Sequence, residues 1–458
     1  MPRIEFPTGL TGSDDLPRTK QGLQNCFNNL TGQIIATPGI TKKGADTAGG
    51  ARGAFVWQDS LYGVVGNSLI KVTDLVAGTF STIGTIAGSD NIEWDVGFNH
   101  AVIVVRNATG KIYTLSTSDT LTDISGNSNF VPCIDVAHMD GRFFYVPFDG
   151  DPVFFSDVGA AGTVQATSFF DAETQPDKNN SVWTIRNTLY IGGTDSIESF
   201  RATGVGLVPF QRIAGAALDY GVIGGVLEYA DTVLFIGRAT GQDEAIYAVG
   251  QGTATKISNE RIDVLLHDNY TIAELAEAIP GRLKWRGYDL ATFSLSADSF
   301  GFYQGNWFKL DTVISGVSRP WSAGFINQLD GEYYSFHDTD FGRFEKVNTM
   351  YGNELTRIID LSFNDPEGRR FTCSRIELGV SQGFNAAVGS VAIFMSRNGI
   401  EYPIPVYRPL GDLAKYNDRL VWQPPGGLGN YIGYMGIRIY TTENVIFNAD
   451  GLILDLQQ

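Results

Sequence analysis

The chain is predicted to be all-β: a β-propeller of six or seven blades, then a C-terminal β-sandwich platform, with one short inserted helix. Three observations predict this. A phrase of strand, polar turn, strand, turn and strand recurs seven times between Ala54 and Val347. Its anchoring turn residues, Asp59, Asn99, Asp140, Asn187, Asp231, Gly287 and Asp330, stand 40, 41, 47, 44, 56 and 43 residues apart, and strand-only periods of that length mark propellers. Composition agrees, because 54 Gly, 17 Pro and 12% aromatic residues make a turn-dense β profile. From about Met350 the phrase stops and apolar runs at sandwich spacing replace it.

Residues 1–50 are polar, Gly-rich and without sustained period, and are expected to form an N-terminal arm packing on the platform. Within them Ile34 to Thr41 reads as a strand, a turn fixed by Pro38-Gly39, and a second strand. Residues 51–350 are assigned to the propeller. Its third and seventh phrases carry the clearest hairpin signals, Asp140-Gly141 and Asp330-Gly331, because both turn types tolerate positive φ. The period leaves two arrangements open: seven blades, or six blades with the remaining phrase given to the platform.

The 56-residue interval reflects an insertion at 257–280. There Thr271 and Glu274 form a capping box, and Pro280-Gly281 ends the helix. Ile272, Leu275 and Ile279 are expected to face the propeller or a partner, the propeller being the plainer reading, and removal of Glu260 to Pro280 is expected to leave a folded protein. Residues 351–458 form the sandwich, with strands expected at Leu355 to Phe363, Phe371 to Val380, Ser390 to Ser396, Tyr402 to Val406, Asp418 to Trp422, Tyr431 to Thr441 and Gly451 to Leu456. Asn398-Gly399 reads as a tight hairpin with a primed turn.

A formal charge of −17 argues against a surface that grips nucleic acid, since neutralising phosphates takes clustered Lys and Arg. It is compatible with DNA sliding past acidic walls. Cys26, Cys133 and Cys373 lie far apart without CxxC spacing, so buried free thiols are expected rather than disulfides or zinc. No apolar run approaches the length of a membrane helix and no signal peptide is visible, so the protein is expected to stay in the cytoplasm, without membrane insertion, until something assembles it or lyses the cell.

The four histidines, His100, His138, His267 and His337, each stand alone, and no HExxH, GxSxG or P-loop pattern is present. Propeller glycosidases need carboxylates converging on the axis, one with a raised pKa. Asp95, Asp135, Glu228 and Asp289 lie near first-strand positions and are the candidates for such a site; solvated or turn-capping acids are the plainer reading. Ser296 to Gly301 misses the Asp-box spacing by one residue. No cofactor, metal or catalytic residue is assigned.

Several short segments resemble one family. They are Leu23-Gln24-Asn25-Cys26 with Ala36-Thr37-Pro38-Gly39-Ile40-Thr41-Lys42, Glu173-Thr174-Gln175-Pro176-Asp177, Asp195 to Phe200, and Thr271 to Ala278 after Ile257-Ser258-Asn259. The Asn398-Gly399 turn and Leu420-Val421-Trp422 leading into Ile437-Arg438-Ile439 complete the set. The order and span are similar to those of the tail-hub, or nozzle, proteins of short-tailed bacteriophages, also called packaged-DNA stabilisation proteins. The resemblance implies a non-enzymatic virion component: a hexameric ring under the portal and its adaptor ring. Such a ring extends the DNA channel without specific DNA binding, retains the genome, lets it pass at ejection, and anchors a tail needle or plug and tailspikes or fibres. Two other classes stay open on the residues alone: a carbohydrate-active propeller enzyme and a glycan-binding propeller adhesin.

Overall fold

The computed structural model describes residues 3–12, 17–29, 31–46, 49–150, 152–172, 177–206, 208–250, 252–380, 389–410, 420–423 and 430–457. Two compact units emerge. One gathers residues 1–41, 284–322 and 344–458; the other gathers 42–283 and 323–343.

The second unit is the propeller, and among the described residues it has six blades. Five are separate four-stranded antiparallel sheets. Their innermost strands are Ala51–Trp57, Ile92–Val96, Cys133–Met139, Asn179–Ile185 and Tyr220–Tyr229, for blades one to five. Blade six is built from Phe325–Leu329, Glu332–His337 and Asp340–Glu345, and its outer neighbour is the strand Gly39–Ala45 from the other end of the chain. An ion pair of Lys42 with Asp340 at 2.6 Å and a bond from the Asp46 N–H to the Thr339 carbonyl at 2.8 Å hold that closure.

Apolar side chains fill the wedges between blades. Phe55, Tyr62 and Leu69 of blade one meet Ile103 and Leu115 of blade two, and Phe325, Tyr334 and Phe341 of blade six meet Leu61 and Ile70 of blade one. Fully burying a side chain of this size stabilises by about 1.5–3 kcal/mol, so these wedges rather than the turns carry the unit. Glycines occur where a wedge is too tight for more. A Cβ on Gly63 would lie 2.9 Å from the Phe336 ring.

The expected hairpins at Asp140-Gly141 and Asp330-Gly331 form. Both residues of each turn have positive φ, 51° and 74° in the first, 53° and 79° in the second. Met139 pairs with Arg142 and Leu329 with Glu332 across them, the two-residue primed connection. The insertion differs from expectation. Two helices stand there among the described residues, α1 (Glu260–Asn269), capped by Asn259, and α2 (Ile272–Ala276), which carries the Thr271/Glu274 capping box. Leu275 is buried and Ile279 packs on the blade six and one cluster, but Ile272 faces solvent. Pro280-Gly281 does not follow the helix as a stop; it lies inside the strand Ile279–Trp285.

The sixth phrase, anchored at Gly287, is no blade. Its meander of Tyr288–Ser294, Ser299–Tyr303 and Asn306–Ile314 lies in the first unit. That unit contains the sandwich. One sheet orders Gly22–Gln24, Arg357–Asn364, Tyr434–Thr441, Ser390–Ser396 and Val406–Pro409. The other centres on Arg370–Val380 paired with Ile446–Gln457.

The arm is locked in by polar side chains. Asn25, buried and at φ 53°, donates from Nδ2 to the Asp311 carboxylate at 2.8 Å and the Thr356 carbonyl at 2.7 Å, while its Oδ1 accepts from the Asp311 N–H at 3.0 Å. Arg357, also buried, donates to the carbonyls of Leu355, Thr37 and Thr442.

Two turn expectations are corrected here. No hydrogen-bonded turn forms at Pro38-Gly39. Gly39 opens a strand instead, and a glycine fits because a Cβ would lie 2.3 Å from the Thr349 carbonyl oxygen. Asn398-Gly399 is no two-residue hairpin either. Only Gly399 has positive φ, Asn398 Oδ1 accepts from the Ile400 and Glu401 N–H groups, and the chain loops from Ser396 to Val406 before pairing again. The side-chain acceptor gives the backbone an Asx turn in place of the primed one. Residues 173–176 and 411–419, where part of one family segment and of one expected strand fall, lie outside the described residues.

Candidate functional site

The propeller axis is where polar groups of different blades meet. Among the described residues, at five of the six joints between blades, a side chain of one innermost strand bonds the backbone of the next blade. Blade one reaches blade two through Trp57 Nε1 to the Gly97 carbonyl at 2.9 Å. Asp95 of blade two accepts from the His138 N–H of blade three at 2.6 Å, and Asp135 of blade three accepts from the Val182 N–H of blade four at 2.8 Å. Asn180 donates to the Val222 carbonyl of blade five at 2.9 Å, and Asn327 of blade six to the Ala54 carbonyl at 3.2 Å. The second oxygen of each aspartate accepts from its own following residue, Val96 or Val136, at 2.7 Å.

Three of the four acids named from the sequence therefore lie in this unit, and Asp289 does not join them. Burial pushes the Asp95 carboxyl up to about 6, with the charge of Glu228 adding to the rise. Burial, and then the Glu93 carboxylate, push Asp135 well above the usual carboxylate range. A raised axial carboxyl is one requirement of a glycosidase. Both oxygens of Asp95 and of Asp135 are nevertheless engaged by backbone N–H groups, so these carboxylates are built into the joints between blades.

Beside them sits a group that sequence reasoning missed. Arg106 pairs with Glu93 at 2.9 Å. Burial pulls the guanidinium pKa down, yet the carboxylates of Glu93, Asp135 and Glu277 outweigh it and raise it overall. Glu277, just past α2, accepts from Asn91 Nδ2 at 3.0 Å. No motif links positions this far apart; the blade repeat brings 91, 93, 106 and 135 together, and the helical insertion adds 277.

The histidines stay apart. His138 packs on the Phe143 ring at 4.8 Å, and His267 is exposed beside Glu244 at 2.8 Å, whose hydrogen bond raises its pKa. Cys26, Cys133 and Cys373 are free and buried, and burial pushes the first two thiols up to about 12 and the third to about 11, which leaves them unreactive. Formal charge divides unevenly between the units. The propeller unit holds 16 Lys and Arg against 32 Asp and Glu, and the other 17 against 18. Nearly all of the −17 belongs to the propeller.

A six-bladed propeller and a unit that holds a β-sandwich define an all-β propeller scaffold, two of whose axial acids are bound to the backbone of neighbouring blades. The chain belongs to the family described as bacteriophage P22 Gp10, beta-propeller, whose model matches residues 14–341. It is 22% identical over 451 residues to the tail hub protein gp10 of Salmonella phage P22, covering 92% of this chain and 91% of that protein. It is a structural component of a phage tail. Among solved structures it is similar to the extracellular domain of a hybrid two-component system of B. thetaiotaomicron, 9% identical with a TM-score of 0.46, covering 82% of this chain and 48% of that one. It is also similar to virginiamycin B lyase of Staphylococcus aureus, 10% identical with a TM-score of 0.41, covering 65% and 96%.

Proposed function

We propose that this chain is the tail hub of a short-tailed phage. Copies of it form a ring, of six on the family's pattern, that continues the portal-adaptor channel, retains the packaged DNA and releases it at ejection. The ring seats a needle or plug and carries tailspikes or fibres, without catalysing a reaction. The observation that carries this reading is the tail hub relative, which aligns along nine-tenths of both chains rather than over the propeller alone. Charge supports it. A body of net −16 repels a DNA backbone at short range, so a duplex near it slides instead of adhering.

The test is reconstitution. Purified chain is added to a portal-adaptor complex from the same phage and imaged by negative-stain microscopy. An added ring that lengthens the channel is the expected result. A bare adaptor beside folded monomer sinks the reading.

A further inference from the structure

Four residues at the end of the helical insertion, Leu275, Ala276, Glu277 and Ile279, reach both sides of the propeller. Ala276 lies against blade five so closely that a Cβ on Gly224 would meet its carbonyl oxygen at 2.7 Å. Leu275 is completely buried. Glu277 reaches Asn91 at the foot of blade two, and Ile279 packs on the cluster shared by blades six and one. Blades two and five stand opposite each other in a ring of six, so this stretch crosses the axis. The chain enters it from α1, which lies on the outer part of blade five, where Lys256 bonds Asp263 at 2.8 Å. It leaves through Ile279–Trp285, the strand that carries the chain out of the propeller unit.

We propose that α2 and the residues following it are a plug seated in the axial channel of the propeller, that the Glu277–Asn91 contact is its latch, and that charge on Glu277 loosens it. The groups facing Glu277 decide the sign. Blade two presents Asp90, Glu93 and Arg106, with Asp135 of blade three behind Arg106. Blade five presents Glu228, which faces Asp95. The acid of α2 itself, Glu274, is occupied by Thr271. One guanidinium, already paired with Glu93, thus stands among several carboxylates. Burial, with Glu93 and Asp90, lifts the Glu277 pKa above the usual range despite Arg106 and the Asn91 hydrogen bond, both of which favour the charged form. The seated carboxyl thus holds its proton more tightly than a solvated one, so the seat tightens as pH falls and loosens as pH rises, the crowding of carboxylates outweighing the stronger bond that Asn91 makes to the ionised form.

Two consequences separate this from a passive linker. The channel is closed to solutes at that end while the latch holds, and loosening is felt by the strand that leaves the unit. Hydrogen exchange on the full-length protein tests it, with rates corrected for the intrinsic effect of pH and read at about pH 5.5 and about pH 8. Protection of residues 272–279 is expected to fall severalfold at the higher pH in the parent. Glu277→Gln is expected to hold the high-protection state at both. Asn91→Ala is expected to lower protection at both while keeping the pH dependence. Asp95→Asn, which leaves the latch untouched, is expected to behave as the parent in this segment. Protection of 272–279 that does not change with pH, or a pH response that survives Glu277→Gln, overturns the proposal.

Discussion

Asp95 offers a quantitative test of the axial joints. In the folded propeller its carboxyl titrates at about 6 against 3.8 for an unburied aspartate. A rise of about two units corresponds to ~3 kcal/mol of preference for the neutral form. The folded state binds this proton more tightly than the unfolded chain does. Below the unfolded value the penalty is absent; it grows as pH rises from about 4 to about 6 and is complete above that window. This contribution therefore makes the propeller less stable at neutral than at mildly acidic pH, opposite to the usual carboxylate pattern. Asp95→Asn keeps an acceptor for the His138 or Val96 N–H and cannot ionise. Urea unfolding of parent and variant, followed by tryptophan fluorescence, isolates the effect, because everything else that titrates is common to both. The stability of the variant relative to the parent should rise by roughly 1 kcal/mol between about pH 5 and about pH 7.5. A difference that is constant across this range would refute the assignment of Asp95 as a buried carboxylate in the joint between blades two and three.

Three further outcomes are expected. Asn25→Ala takes the Asn25 donor from Oδ1 of the buried Asp311, whose Oδ2 keeps Gln24 and Ser318, and from the Thr356 carbonyl, and it places alanine at positive φ, so calorimetry should show the sandwich unit destabilised by about 3 kcal/mol. Leu275→Ala should cost about 2–4 kcal/mol in urea unfolding, whereas Ile272→Ala, on the exposed side of the same helix, should cost little. Gly39→Ala should lower the melting temperature, because the new Cβ meets the backbone carbonyls of Thr349 and Val347, which cannot swing aside as a side chain would.

Much of the propeller was legible because its turns announce themselves. Asp140-Gly141 and Asp330-Gly331 fix the register of their hairpins through local backbone chemistry alone, and Thr271/Glu274 caps a helix for the same reason. The phrase at Gly287 misled because a three-stranded meander with an Arg286-Gly287 primed turn has the same local grammar whether it becomes a blade or a platform sheet. What decides is where its outer faces are buried, a tertiary matter. Helix α1 escaped notice although Asn259 caps it, since only Ile262 and Leu266 along it are buried and its pattern is mostly polar. Pro38-Gly39 and Asn398-Gly399 are turn-forming pairs that the surroundings use otherwise, one for close backbone approach and one for an Asx turn. The axial group of Glu93, Arg106, Asp135 and Glu277 could be assembled only after blade order was known. Asp95 and Asp135 stand on first strands, as the period suggests, but the period carries no word on whether an acid there faces solvent, a substrate or a neighbouring backbone.

The closure of blade six sets the timetable of biogenesis. Its outer strand, residues 42–45, leaves the ribosome early, while its partner strand Asp340–Glu345 follows some three hundred residues later. Throughout that interval blades one to five can form as local meanders, but the ring stays an open horseshoe with the closing strand dangling and an unpaired edge awaiting it. Joining the two ends pays a long loop-closure penalty in a single late step. Premature termination before residue 340 should therefore yield not a shorter propeller but a sticky, unsealed one, and a virus that makes many copies at once has reason to complete each chain quickly.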